Sequence, residues 1–474
     1  MQMTEDLIRN VVQEVLAQMG TAGSNGSTAA RSSSGRLGVY GTVDEAVHAA
    51  EVAFQQYKTR PLADRAKAVE IIKTICVDQA EELGRMELDE TKIGRLDHKI
   101  AKLRDAIPRA LGVEGLRTDN YSGDAGLTLT DYSPFGVIGA ITPATHSLPT
   151  LAGNAINMLA AGNTVVFNAH PSGAKVAAEG VRRFNRAIRE AIGIDDLLTI
   201  IEKPTLETAA ALFDNRQVRL LVVTGGPAVA RAALESKRRA VVAGPGNPPV
   251  VVDATACLTS AAKSIIEGAA FDNNLLCIGE KQVFAVAEIF DKLMELVGKH
   301  GGFRLNPGQI DALTKAAFSM GKDGQLHVNK ELVGQDPAVL GKAAGVSIPG
   351  GTQILYGETG ADHPFVDHEQ MMPFIPFVRV TSVDRAIELA KLSEHGYGHT
   401  AILHSRDIAV MTKMGKLMDC TIFVVNGPSV AGLGLGGEGT LSFSIAGPTG
   451  EGVTTPLTFC RHRRTTLAGG FRFV

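Results

Sequence analysis

The chain has 474 residues, enough for about three domains, of which 45% are apolar and 20% charged. Its formal charge of -3 gives no basic footprint for nucleic acid or for an acidic membrane surface. The five cysteines (Cys76, Cys257, Cys277, Cys420, Cys460) are scattered and form no CxxC pair, so a disulfide framework and a zinc cage are both excluded, and no apolar run is long enough to span a bilayer.

Glycine is abundant at 52 residues and tryptophan is absent, which favours an α/β protein with many tight turns. The amphipathic N-terminus does not read as a signal peptide, and the thiols suit a reducing, cytoplasmic setting. Leu7, Ile8, Val11, Val12, Val15, Leu16 and Met19 recur at helical spacing and predict an amphipathic helix over residues 1–20. A small, polar, flexible linker follows over residues 21–35. A helix tethered in this way has nothing nearby on which to bury its stripe. It is expected to dock on a partner, the alternative being its own body.

From Val39 to about Asn120 the periodicity is helical. It changes at the strand Val137 to Ile141, which ends at Thr142 and Pro143. The remainder of this half alternates helices with strands at Thr164 to Phe167, Leu197 to Ile201 and Leu220 to Thr224. Such alternation predicts a parallel, doubly wound sheet, whose ligands sit at the carboxyl ends of strands. Those ends carry Thr142 and Pro143, then His170, Pro171 and Ser172, then Thr224, Gly225 and Gly226. In the last group a glycine pair enters a helix, where backbone N–H groups can face a phosphate.

A glycine-proline loop, Gly244 to Pro249, leads into a second α/β unit, which opens with a helix from Ser260 to Ala270. Next comes Phe271-Asp272-Asn273-Asn274-Leu275-Leu276-Cys277-Ile278-Gly279-Glu280-Lys281. A thiol between a flexible, polar, turn-prone run and a glycine is placed for catalysis once its pKa is lowered, or is simply a buried apolar residue. The other four cysteines lie in apolar contexts and are expected to be inert core. Neither His363, Asp367, His368 and Glu369 nor His395, His399 and His404 has metal-ligand spacing on a helix, so no metal is expected. Residues 427–452 are rich in glycine, and an extended tail with the basic run Arg461 to Arg464 follows.

Together these segments resemble the aldehyde dehydrogenase superfamily over residues 36–474, and more narrowly the CoA-acylating aldehyde dehydrogenases of bacterial microcompartments, the propionaldehyde dehydrogenase type. The likeness rests on Ser133 to Gly139, Asn154 to Asn163, Val222 to Gly226, Gly244 to Pro249, Phe271 to Cys277, Asn426 to Ser429 and Pro448 to Gly452. It implies an aldehyde dehydrogenase-like α/β fold, with two doubly wound domains and a small β oligomerisation arm. On this chain the dinucleotide-binding domain would be 36–119 and 135–246, the catalytic domain 247–441, and the arm 120–134 and 442–474.

The same likeness makes Cys277 the nucleophile that forms a thioester, with NAD as hydride acceptor and coenzyme A as acyl acceptor. It assigns Thr142, Pro143, His170, Pro171, Ser172, Thr224, Gly225 and Gly226 to the dinucleotide and Glu369 to its nicotinamide ribose. It makes residues 1–20 an encapsulation helix for shell or core proteins, placing the enzyme in the cytoplasm inside a microcompartment, as a homodimer or homotetramer. Two departures from the family pattern stand out. His146 occupies the place of the usual oxyanion asparagine, with Asn154, Asn273 and Asn274 as other donors. Where hydrolytic members carry a water-activating glutamate, this chain has Ala243-Gly244-Pro245-Gly246, so a thiol is the expected acceptor. The alternatives are a hydrolytic NAD-dependent aldehyde dehydrogenase that releases free acid, and a non-catalytic assembly protein.

Overall fold

Strands that are apolar along every residue must be covered on both faces, and helices on both sides of a parallel sheet do this. Val137–Thr142 and Thr164–Ala169 are such strands, buried throughout. They lie at the centre of a six-stranded parallel sheet with the spatial order Val39–Tyr40, Leu198–Ile201, Thr164–Ala169, Val137–Thr142, Val218–Thr224, Ala240–Ala243. This is a computed structural model, and it describes residues 36–322 and 324–471. The tag helix and linker expected over residues 1–35 lie outside the described residues.

The chain winds from Val137–Thr142 outward in one direction, then returns to add Val218–Thr224 on the other side. Between these two strands the order reverses, so their carboxyl ends open a crevice. The helices that cover the sheet are set by local signals. Ala174–Ile192 buries Val176, Ala177, Val181, Phe184 and Ile188 on one stripe and stops at Gly193, whose φ of 72° suits glycine. At its start Glu90 accepts from the N–H groups of Lys175 and Val176 at 2.8 and 2.7 Å, an acid at the positive end of the helix dipole.

Residues 244–248 connect this sheet to a second, seven-stranded parallel one. Its order is Gly302–Arg304, Ile354–Glu358, Phe374–Val380, Gln282–Val286, Pro249–Val252, Thr400–His404, Ile422–Val425. Gln282–Val286 is buried along its whole length and pairs in parallel with Pro249–Val252 and Phe374–Val380. A separate antiparallel sheet places Gly126–Pro134 between Asp119–Gly123 and Cys460–Ala468. The basic run Arg461 to Arg464 is on this sheet and is exposed.

Three expectations need correction. The segment read as helical from Val39 begins instead with the strand Val39–Tyr40, two residues that close the sheet edge against Ile200 and Ile201. Cys257 is exposed rather than core, because it is the residue before the helix Leu258–Ala270, and Cys420 is only partly buried. The Asp272-Asn273-Asn274 run is neither flexible nor solvated, since all three residues are completely buried.

Candidate active site

From Asp272 to Val286 every residue is buried except Cys277, which keeps partial exposure. The thiol is therefore the one chemically reachable group on an otherwise sealed turn. That turn is unusual, because Asp272, Asn273 and Asn274 take φ values of 51°, 55° and 66° in succession. Left-handed backbone costs a non-glycine residue of the order of 1 kcal/mol, and short polar side chains that bond locally tolerate it best. Here they do so. The Asn273 amide donates to Gly334 O at 3.0 Å and to Asp336 Oδ1 at 2.8 Å. The Asn274 amide donates to Ala269 O and Glu280 O at 3.0 and 2.9 Å. Both amides are committed to holding the turn, which removes them as oxyanion donors.

Glu280 and Lys281 fasten the far side. Lys281 Nζ donates to Asn274 Oδ1, Asn274 O and Leu276 O at 2.7, 2.8 and 3.1 Å, gripping the backbone just before Cys277. Glu280 accepts from the backbone N–H and hydroxyl of Ser429 at 2.8 and 2.7 Å, and burial raises its pKa to about 7. A Cβ on Gly268 would lie 1.9 Å from that carboxylate, so glycine is required there.

Charge around the thiol does not favour the anion at rest. Burial and then the Glu369 carboxylate push Cys277 up to about 12, against Lys281 and the N–H groups of Cys277 and Ile278. The lowered pKa that nucleophilic use of the thiol requires is therefore not met in this resting state. Burial also raises Glu369 to about 7, opposed by Lys281 and the Gly246 N–H. A carboxylate therefore does approach the nucleophile, although none stands in residues 243–246. The sign of this coupling is testable. Glu369→Gln removes a like charge, which lowers the thiol pKa. Alkylation of Cys277 by iodoacetamide at pH 8 is expected to be several-fold faster in the variant. A slower rate would mean that Glu369 acts as a base on the thiol instead.

Gly246 and His399 complete this side. A Cβ on Gly246 would stand 2.7 Å from Cys277 O and 2.9 Å from the His399 ring, so the loop between the sheets passes directly under the thiol's own carbonyl. His399 is buried, with Nδ1 at 2.9 Å from Thr400 Oγ1 and Nε2 without a partner. Burial and then Lys281 hold its pKa at about 4, so the imidazole is neutral.

The other predicted residues lie along the carboxyl edge of the first sheet. Thr142 is the last residue of its strand. Its carbonyl accepts from the His170 N–H at 2.9 Å, and its buried hydroxyl has no partner. His170, Pro171 and Ser172 are exposed beside it, with His170 Nδ1 accepting from the Ser172 N–H at 3.2 Å. Gly226 is exposed at the start of the helix Pro227–Glu235. Thr224 differs from these, because its hydroxyl is 2.6 Å from Ser444 Oγ, which in turn donates to Asn154 Oδ1 at 2.9 Å. An open strand-end ledge with an unused hydroxyl and exposed glycine backbone fits a dinucleotide. Partial burial and then the nearby Lys330 lower the His170 imidazole pKa.

His146 precedes the helix Ser147–Ala160, buried, with its ring centroid 5.5 Å from that of Phe443 and Nδ1 unpartnered. Burial, then Lys102 and Lys99, hold its pKa well below the ordinary histidine value, against Asp272. It is thus a neutral ring, which has one N–H to donate. Asn154 keeps an unpartnered, buried amide nitrogen.

Sequence reading missed Lys281, Gly246 and the cluster of Lys99, Lys102 and Asp272, and weighed His399 only as a metal ligand. The available signal was Glu280-Lys281 directly ahead of an apolar strand, since charges inside a buried run need partners. Among the described residues no group of three or more His, Cys, Asp or Glu is arranged to hold a metal ion. Nor, among those residues, is any helix long and apolar enough to cross a membrane.

The model of the Aldehyde dehydrogenase family matches residues 28–303. The acetaldehyde dehydrogenase (acetylating) EutE of Salmonella typhimurium is 41% identical over 474 residues, covering 100% of both chains. The propanal dehydrogenase (CoA-propanoylating) of Citrobacter freundii is 37% identical, with 98% of each chain covered. Among solved structures, Rhodopseudomonas palustris propionaldehyde dehydrogenase with bound CoA and an acylated cysteine is 44% identical, with a TM-score of 0.88 over 91% of this chain and 98% of that one. A propionaldehyde dehydrogenase from the Clostridium phytofermentans fucose utilisation microcompartment is 39% identical, with a TM-score of 0.89 over 92% and 99%. With one reachable thiol on a sealed turn, two parallel sheets meeting beside it, and relatives matched from end to end, the chain belongs to the aldehyde dehydrogenase family, in its CoA-acylating group.

Proposed function

We propose that this protein oxidises a short aldehyde, propanal or acetaldehyde, with NAD⁺ and coenzyme A, giving acyl-CoA and NADH through a thioester on Cys277. The observation that carries the reading is that Cys277 alone is reachable on the buried turn from Asp272 to Val286. The Cys277 thiol releases its proton to solvent as its sulfur adds to the aldehyde carbon. Loss of hydride from that carbon leaves a thioester, and the thiol of coenzyme A then displaces Cys277. When bound, NAD⁺ supplies the hydride acceptor. The ledge of Thr142, Pro143, His170, Pro171, Ser172, Gly225 and Gly226 would hold the dinucleotide, and Glu369 would hold its ribose at the cysteine. His146 or Asn154 would donate to the oxyanion together with the Cys277 N–H.

The Ala243 to Gly246 loop has no carboxylate, which favours a thiol over water as acyl acceptor. NADH formation from propanal is expected to depend on coenzyme A. Equal turnover without it, with release of free acid, would establish the hydrolytic alternative. Residues 1–20 are proposed to dock on microcompartment shell or core proteins, and the antiparallel arm to join subunits. Deleting residues 1–20 should leave turnover within about twofold while abolishing co-assembly with shell proteins. Unchanged co-assembly would sink the tag.

A further inference from the structure

Behind the cysteine turn lies a set of charges that takes no part in the chemistry above. Glu87, Lys99, Lys102 and Asp272 are all completely buried, two acids and two bases with no exposure to water. Asp272 is the first residue of the left-handed turn that presents Cys277. Its carboxylate is an ion-pair partner of both lysines, in close contact with Lys102 Nζ and 3.3 Å from Lys99 Nζ. It also accepts from the Arg95 N–H at 2.8 Å, and its own N–H donates to His98 Nδ1 at 2.8 Å. A Cβ on Gly94 would lie 2.2 Å from Asp272 Oδ1, so the chain has been brought as close as glycine permits.

The same ammonium groups reach the opposite loop. Lys99 Nζ donates to the carbonyl of Thr145 at 2.8 Å, and Lys102 Nζ lies 3.5 Å from that oxygen. Thr145 is the residue immediately before His146. Lys102 also opens a π-helical turn, Lys102–Ala106, that interrupts the helix begun at Leu96. Such turns are uncommon and recur at functional sites, where they redirect side chains. Glu87 Oε1 balances the pair, 3.3 Å from Lys99 Nζ.

We infer that Lys99 and Lys102 are positioning residues, which tie the His146 loop and the Cys277 turn to one buried anchor and so fix the two sides of the reaction cleft relative to each other. Mutual attraction alone does not account for the arrangement, because two lysines and two acids could be replaced by apolar residues at little cost to stability. Here the lysines are bonded to the two segments that carry the reacting groups. They also set the charge around His146, whose neighbours are Lys102, Lys99 and Asp272, together with the uncharged Phe443 ring.

This inference rests on Cys277 as nucleophile and His146 as a cleft residue, and its tests are separable from that reading. The double variant K99M/E87Q removes one charge of each sign, leaves Lys102 paired with Asp272, and deprives the Thr145 carbonyl of its closer donor. We expect kcat to fall about 10–100-fold, as a misplacement of the order of 1 Å would produce, with KM for NAD⁺ little changed. We also expect an acid limb, because losing a neighbouring cation lets His146 protonate at higher pH. E87Q alone retains the Lys99–Thr145 bond and should lose less than about threefold. A folded double variant with wild-type kcat and pH profile would overturn the inference. A second reading leaves the lysines in place. The His146 ring resonance, assigned by its loss in His146→Gln, should stay at the neutral-imidazole position from about pH 8 to 5.5. Titration near the ordinary value would contradict a ring that is buried and flanked by Lys102 and Lys99, and with it the inference. Failure of coenzyme A dependence in the wild-type enzyme would overturn the proposed function and leave both of these readings standing.

Discussion

Replacing Cys277 by alanine is expected to reduce NADH formation by at least about a thousandfold, because loss of a covalent nucleophile removes the reaction path rather than one contact along it. The variant should still fold, as the side chain is small and partly exposed. Lys281, Asn273 and Asn274 grip the backbone around it. Stability within about 1–2 kcal/mol of wild type is therefore expected, the range of an ordinary single substitution. Thermal unfolding and turnover measured on the same preparation check both halves. Substantial activity in a folded Cys277→Ala protein would remove the nucleophile from the scheme.

Gly246→Ala is expected to have nearly as large an effect, although the substitution adds only one methyl group. That methyl would meet the Cys277 carbonyl at 2.7 Å and the His399 ring at 2.9 and 3.1 Å. The His399 ring has little room to yield, being buried with its neighbour Thr400 bonded to it. The cysteine turn is fixed by Lys281 and by the two asparagines, so any relief must come from displacing a reacting group. A shift of the order of 1 Å costs about a hundredfold in rate, and overpacking costs about 1–3 kcal/mol in stability. Kinetics with saturating coenzyme A, together with the unfolding midpoint, test this. A wild-type kcat in Gly246→Ala would show that the loop and the turn are not in the contact described.

The sheets were legible because their strands are apolar along every residue. Thr164–Ala169 is recognised from the sequence but drawn two residues short, because Asn168 and Ala169 do not continue the β-branched run. The two-residue strand Val39–Tyr40 was missed, as two residues carry no periodicity and the pairing partner lies far along the chain. The resemblance singles out Cys277 and Glu369, and the structure brings the Glu369 charge to bear on the Cys277 thiol. The chemistry around them was not legible. Asp272, Asn273 and Asn274 read as a mobile polar run from composition, yet Lys99, Lys102, Gly334 and Asp336 arrive from distant segments to bury and bond them. The direction of the Cys277 pKa was not legible for the same reason, since desolvation and the approach of Glu369 are properties of the folded neighbourhood. Cys257 shows the converse: apolar neighbours suggested core, but a position just ahead of a helix turned the thiol outward.

The central claim is that Cys277 carries the acyl group and passes it to a thiol rather than to water. Mixing the enzyme with propanal and NAD⁺ in the absence of coenzyme A, then quenching and measuring intact mass, tests it most directly. The account predicts a propanoyl adduct on the peptide containing Cys277, formed with one equivalent of NADH, persistent in buffer, and discharged as propanoyl-CoA when coenzyme A is added. Discharge to free propanoate at the same rate with and without coenzyme A, or an adduct on any other residue, would contradict it.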